Sequence, residues 1–192
     1  REFEQILLTL SAYRLTNESL PRQQWNQFIT QSKILDRHPF ITGVGQVDVV
    51  RKENVQQYSE AMQSEWPGFA IFPTGDREIY TPVKYRAPDD ATNKKSIGYD
   101  LFSEPLRRAT MIKARDQGIA AMTPPLQLLQ DEGDETKSAV IMFYPIYSSG
   151  TIPETVEERR AQNTGFSFIG FRPSDFIANV DSANPEQLTS SS

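Results

Sequence analysis

Few residues in this chain have the type and spacing for chemistry. Cysteine is absent and His38 is the single histidine. A zinc site or thiol chemistry therefore has no ligand set, and a Ser-His triad would depend on that one imidazole. His38 reads as a structural or solvent-facing turn residue. No Gly-rich phosphate loop and no nucleophile motif occurs. Asp89 and Asp90 stand side by side, but calcium needs six or more converging oxygens, so the polar stretch Ala87–Lys95 reads as a solvated loop. A hydrolase using paired carboxylates has nothing to support it. No cofactor and no metal is expected. That leaves Asp100, which ends a short strand just before a helix and a returning apolar strand. A carboxylate so placed either caps a turn, its commoner role, or lines a ligand pocket.

The elements around Asp100 follow from Asn93–Met122. Ser103 suits an N-cap, with Glu104 and Pro105 in the first turn, where a missing N–H costs nothing and negative charge suits the helix dipole. Leu106, Ala109 and Thr110 share one helical face, with Arg108 and Arg115 roughly opposite. Gly118 suits a left-handed cap after a basic last turn. Ile119–Met122 then reads as a strand, interrupted by Thr123-Pro124-Pro125.

Earlier in the chain, Phe3, Ile6, Leu7, Leu10 and Tyr13 follow helical spacing. That stripe either packs on its own domain or continues a membrane segment and pairs with its copy in a homodimer. A second helix carries Trp25, Phe28 and Ile29 and ends by Asp36, ahead of Pro39. Val44, Val47, Val49 and Val50 suit a strand, and Glu53–Trp66 a helix closed by Pro67-Gly68. Phe69–Phe72 and Glu78–Tyr85 read as strands of a hairpin joined at Pro73–Asp76. Later, Asp131–Glu135 reads as an exposed hairpin tip around Gly133, and Ala139–Phe143 as a central strand. A charged helix starts at Thr155 or Glu154, and Phe166, Phe168 and Phe171 are expected on one face of a closing strand. Phe69–Phe72, Glu78–Tyr85, Ile119–Met122, Ser138–Tyr147 and Gly165–Arg172 are expected in one mainly antiparallel sheet with helices against it, an α+β fold.

Length and composition fit one globular domain with a helical extension: 192 residues, 38% hydrophobic and 10% aromatic. The net charge of −5 leaves no footprint for nucleic acid or an anionic membrane surface. Absent cysteine excludes a disulfide framework without fixing a compartment. No apolar run is long enough to span a bilayer, and a start at Arg1 is expected of an excised piece.

The run G-Y-D-L-x-S-E-P-x-R-R-A at Gly98–Ala109, then K-A-R-D-Q-G and A-M-T-P-P-L-Q-L-L, resembles the core of a CHASE domain. Tyr80–Pro88 and Asn93 upstream, and Tyr144–Tyr147, Thr155–Arg160 and Gly165–Arg172 downstream, fit the same family in the same order, so the resemblance covers most of Phe69–Ile177. It implies a non-catalytic sensor outside the membrane, on the periplasmic or extracellular face of a receptor histidine kinase or nucleotide cyclase, with membrane helices flanking the fragment. It also implies a long helical stem and a PAS-like membrane-distal module, here residues 1–38 and 39–180, with a disordered tail over 181–192. In the plant receptors of this family the ligands are adenine-type cytokinins, held by residues matching Asp100 and Met122. Met122 stands where those receptors have Leu, and Thr123-Pro124-Pro125-Leu126 replaces Thr-Ser-Pro-Phe, so the resemblance carries over a pocket rather than a ligand. A small-molecule site bounded by Tyr80, Asp100, Phe102, Met122, Thr123, Phe143 and Gly165 is expected, with Asp100 its charged group. The alternative is a dimerising spacer with an empty or vestigial pocket, which aromatic side chains at every wall position and a salt bridge from Asp100 to Arg107 or Arg108 would support.

Overall fold

Strands buried on both faces, such as Val140–Tyr147 and Asn163–Phe171, leave no polar alternation in the sequence. The structure, a computed structural model, describes residues 1–17, 19–131, 133 and 137–175. In chain order the helices and strands are α1 (Glu2–Leu15), α2 (Arg22–Ser32), α3 (Ile34–Arg37), β1 (Ile41–Asp48), β2 (Val50–Arg51), α4 (Val55–Gln63), β3 (Ile79–Tyr80) and β4 (Val83–Ala87). Then come α5 (Ala91–Lys94), α6 (Pro105–Gln117), β5 (Ala121–Met122), β6 (Val140–Tyr147), α7 (Val156–Gln162) and β7 (Asn163–Phe171). A five-stranded sheet runs in the order β4-β1-β7-β6-β5, and every pairing in it is antiparallel. The fold is α+β.

Each face of this sheet carries its own core. Val47, Val83, Ile141, Phe143, Phe166 and Phe168 point to one side, under Met111 and Ala114 of α6. Val44, Tyr85, Val140, Ile169 and Phe171 point to the other, under Leu7 and Leu10 of α1 and Trp25 and Ile29 of α2. Strand parity therefore separates Phe171 from Phe166 and Phe168, and Phe171 stacks on Phe3 at 5.3 Å between ring centroids.

The apolar stripe of α1 lies on the sheet of its own domain. A buried polar seam fixes that docking: Gln46 Nε2 donates to Leu10 O at 2.8 Å and to Ser167 Oγ at 2.9 Å, and the Ser11 and Ser167 hydroxyls are 2.9 Å apart. At the last turn, Arg14 reaches Asp48 at 2.6 Å.

Several expectations need correction. Phe69–Phe72 and Glu78–Tyr85 do not form a hairpin. Ile79–Tyr80 pairs with β2 in a separate two-stranded sheet, whereas Phe72 N–H donates to Gly98 O (3.0 Å) and Phe72 O accepts from Asp100 N–H (2.7 Å). The end of the expected Glu78–Tyr85 strand does join the main sheet, as part of β4 (Val83–Ala87), whereas Phe69–Phe72 does not; beside β4 lies β1, paired on both sides. The second helix breaks at Lys33, in a left-handed conformation, before α3. The loop Ala87–Lys95 contains α5, capped by Asp90, while Asp89 binds Arg22 at 2.7 Å. Asp131 is buried and pairs with Arg172 at 2.7 Å; Glu132, Asp134 and Glu135 of the expected tip lie outside the described residues, as do the module's end and the tail over 181–192.

Candidate ligand-binding site

Glu104, rather than Ser103, caps α6: its carboxylate accepts from Leu106 N–H at 3.0 Å and Arg107 N–H at 2.8 Å, and Pro105 opens the helix. Ser103 belongs to the preceding 3-10 turn, Leu101–Ser103, and donates to Asp100 O at 2.6 Å. The buried face of α6 is Arg107, Thr110, Met111, Ala114 and Arg115, and Leu106 is 42% exposed. This moves the expected stripe by one residue and brings two arginines inward. Gly118 closes the helix at φ 67°. The capping box of Thr155 and Glu158 starts α7, and Arg160 pins it to α6 through Asp116 at 2.6 Å.

Asp100 is completely buried, and its two oxygens have different fates. Oδ1 accepts from Thr81 N–H (2.7 Å), Phe102 N–H (3.1 Å) and the Thr81 hydroxyl (3.2 Å). Oδ2 meets Arg77 Nε at 2.7 Å. Arg77 donates also to Pro73 O at 2.7 Å and lies over the Tyr80 ring, 5.2 Å from its centroid. Tyr80 in turn accepts from Arg77 N–H at 3.0 Å and donates to Gly75 O at 2.8 Å. One oxygen thus fixes the backbone of the turn, and the other is held by a single side chain from a loop.

Of the seven expected residues, Tyr80, Asp100 and Phe102 come together around this turn. Phe102 and Phe143 share the α6-side core. Thr123 is buried beside β6, its amide donating to Ile141 O at 2.9 Å and its hydroxyl accepting from Ile141 N–H at 3.0 Å. Met122 is 53% exposed on edge strand β5, paired across from Met142 of the α1-side core. Antiparallel alternation directs the Met122 N–H and C=O away from β6, toward the open edge. Gly165 abuts β1: a Cβ there would come 2.4 Å from Val47 O.

Sequence reasoning passed over Arg77, Thr81 and Arg86, and it offered Arg107 or Arg108 as the partner of Asp100, a place that Arg77 takes. Arg107 was detectable, because it shares a stripe with Met111 and Ala114 at i, i+4 and i+7. Arg77 sits in a loop read as a hairpin turn, and no periodicity marks it. Among the described residues no cluster of three or more His, Cys, Asp or Glu could hold a metal, and no helix is long and apolar enough to cross a membrane.

The sequence profile of the CHASE domain matches residues 18–190. The chain belongs to the CHASE domain family. Its similarity to hybrid signal transduction histidine kinase A of Dictyostelium discoideum is 28% identity over 121 residues, 61% of this chain and 5% of that protein. The chain thus spans a small part of the length of that relative. CHASE domains are sensor domains of signalling receptors, and this chain is one of them. In this CHASE domain the G-Y-D-L segment forms the Asp100 turn, and the E-P pair caps α6. The first arginine of R-R turns into the core, and the second, Arg108, donates to Phe102 O at 2.9 Å.

Proposed function

We propose that this CHASE domain is the extracytoplasmic, ligand-binding sensor of a transmembrane receptor of histidine kinase or diguanylate cyclase/phosphodiesterase type. It receives a small molecule at the Asp100 turn and the open edge of β5, and has no catalytic role of its own. The observation that carries this reading is the unequal commitment of Asp100. A fully buried carboxylate whose second oxygen depends on one loop arginine can exchange that arginine for a ligand donor, without disturbing the three bonds that hold the turn. A ligand with an N–H edge, such as an aminopurine, suits Oδ2, and the outward N–H and C=O of Met122 supply the complementary pair.

Tyr80, Phe102, Thr123, Phe143 and Gly165 complete the proposed surroundings. Exchange at Asp100 would free the Arg77 loop, which gives the ligand a differential affinity for two conformations.

The test is calorimetry of the purified chain with adenine and N6-substituted adenines, beside amino acids as controls. Binding that tightens about tenfold in Arg77→Ala, where the resident competitor is gone, is the expected result. A ligand that binds equally to the native chain, Arg77→Ala and a bulky Met122→Trp would place recognition elsewhere. No saturable binding to any of the panel would favour the dimerising spacer.

A further inference from the structure

Two arginines are buried on the α6 side of the sheet, one without a salt bridge among the described residues and one with only a long ion pair. Arg86 of β4 is 9% exposed and Arg107 of α6 is 5% exposed. Arg86 donates through Nε to the Asn93 side-chain oxygen at 3.0 Å and lies over the Phe168 ring, 5.3 Å from its centroid. Among the described residues it forms no salt bridge. Arg107 donates to Gln127 O at 3.0 Å and weakly to the Tyr99 hydroxyl at 3.4 Å, and its nearest carboxylate oxygen, on Glu104, is 3.9 Å away. Its buried Nε has no hydrogen-bond partner.

Both guanidiniums line one cavity of about 30 Å³, whose other walls include Leu101, Leu128, Ile141 and Phe168. A buried water needs roughly 10–15 Å³, so the space corresponds to about two waters, the footprint of a carboxylate group. An unpaired buried N–H, one guanidinium without a salt bridge and a second held only by a 3.9 Å ion pair are costly unless something of opposite charge completes them. The planar donor fork of arginine matches a carboxylate in both spacing and charge.

We propose that the cavity between Arg86 and Arg107 is an anion site for a monocarboxylate no larger than acetate, whose headgroup bridges the two guanidiniums and whose methyl abuts the wall formed by Leu101, Leu128 and Ile141. Burial, with the like charge of Arg107 adding to it and Asp90 opposing, lowers the Arg86 pKa to about 10. A bound anion reverses that penalty. The cavity walls exclude larger acids, and the apolar lining disfavours a tetrahedral oxyanion such as phosphate, which offers no apolar end. The site stands apart from the exchange at Asp100, and neither proposal needs the other.

The experiment is a thermal-shift and calorimetric titration of the purified chain with acetate, propionate and butyrate, with acetamide, propionamide and inorganic phosphate as controls. Saturable binding of acetate is expected, weakening through propionate to butyrate, with no response to the amides and at least tenfold weaker affinity in Arg86→Gln and Arg107→Gln. Ser96→Phe keeps both charges while filling the mouth of the cavity, so its folded protein should also lose the response. If the native chain shows no saturable carboxylate binding, the proposal fails. It fails equally if phosphate binds as well as carboxylates, or if the response survives in Ser96→Phe. An aminopurine that binds while carboxylates do not would overturn this site and leave the Asp100 reading standing.

Discussion

At the residue scale, Asp100 and Asp48 are both buried carboxylates, and their surroundings separate structure from exchange. Asp100 organises a turn through Thr81 and Phe102 and holds one arginine. Replacing it with Ala leaves two buried amides and Arg77 unmatched, at about 3–5 kcal/mol, the range for breaking a buried charged pair. Asp100→Ala is therefore expected to lower the midpoint of urea unfolding strongly, while Arg77→Ala leaves Oδ2 without its counter-charge but keeps the three bonds to Oδ1, so its loss is expected to be smaller. Equal losses would mean that Oδ1 contributes nothing. Asp48 is held by Arg14 at 2.6 Å, Lys84 at 3.4 Å and the Tyr58 hydroxyl at 3.0 Å. Burial alone would raise its pKa, but Arg14 and Lys84 outweigh burial and hold it below the usual carboxylate value. A depressed folded pKa stabilises fully above the unfolded value near ~3.9 and loses that stabilisation as pH falls through the folded value. Unfolding measured from pH 6 down to pH 2 should thus show an acid loss that Asp48→Asn reduces. An unchanged acid limb in Asp48→Asn would assign the loss to other carboxylates.

At the element scale, α1 is a fixed layer of the domain. Leu7 and Leu10 are fully buried under it, and Gln46, Ser11 and Ser167 hold its register. Leu7→Ala or Leu10→Ala should each cost about 2–5 kcal/mol in chemical denaturation, as for other buried leucines. A loss near zero would mean that the helix is detached in solution. Gly165→Ala tests the β1–β7 contact: a Cβ 2.4 Å from Val47 O forces the strands apart, for about 1–3 kcal/mol. Much of this architecture is legible in the sequence. The α1 stripe, the continuous apolar run of β6, the Gly118 cap and the Thr155 helix each follow from local rules, and those rules agree with the fold. The rest is not, for identifiable reasons. The segment Phe69–Phe72 has strand composition, but it ends up beside Gly98–Asp100 through a contact that is non-local in the chain. Strand β1 contains two glycines and Gln46, which weaken its pattern, yet it is paired on both sides. The α6 stripe was read from Leu106, because arginines are rarely counted as core. The Asp100 turn was legible as a position; its partner Arg77 was not, since a loop residue 23 positions away carries no periodic signal.

At the scale of the whole molecule, the two faces of one sheet divide the labour. The α6 side holds the Asp100 turn and the buried arginines, and the α1 side holds the helix that opens the chain. Strand β7 belongs to both: Phe166 and Phe168 face the first core, and Phe171, at its end, stacks on Phe3 at the start of α1. A change in packing on the α6 side therefore has a direct route to the place where α1 begins and β7 ends. Phe3 and Phe171 supply the reporter of that route. Spin labels at the exposed positions Gln5 and Ser174 flank this contact. With a saturating compound that raises the thermal midpoint, the distance distribution between them should shift or narrow, because a ligand moves an equilibrium only by its differential affinity for two states. Phe171→Ala removes the stacking contact, and in that variant the ligand should still bind while the distance no longer responds. If the native distribution is the same with and without bound ligand, the α6 side does not communicate with α1, and the domain acts as a passive binding module.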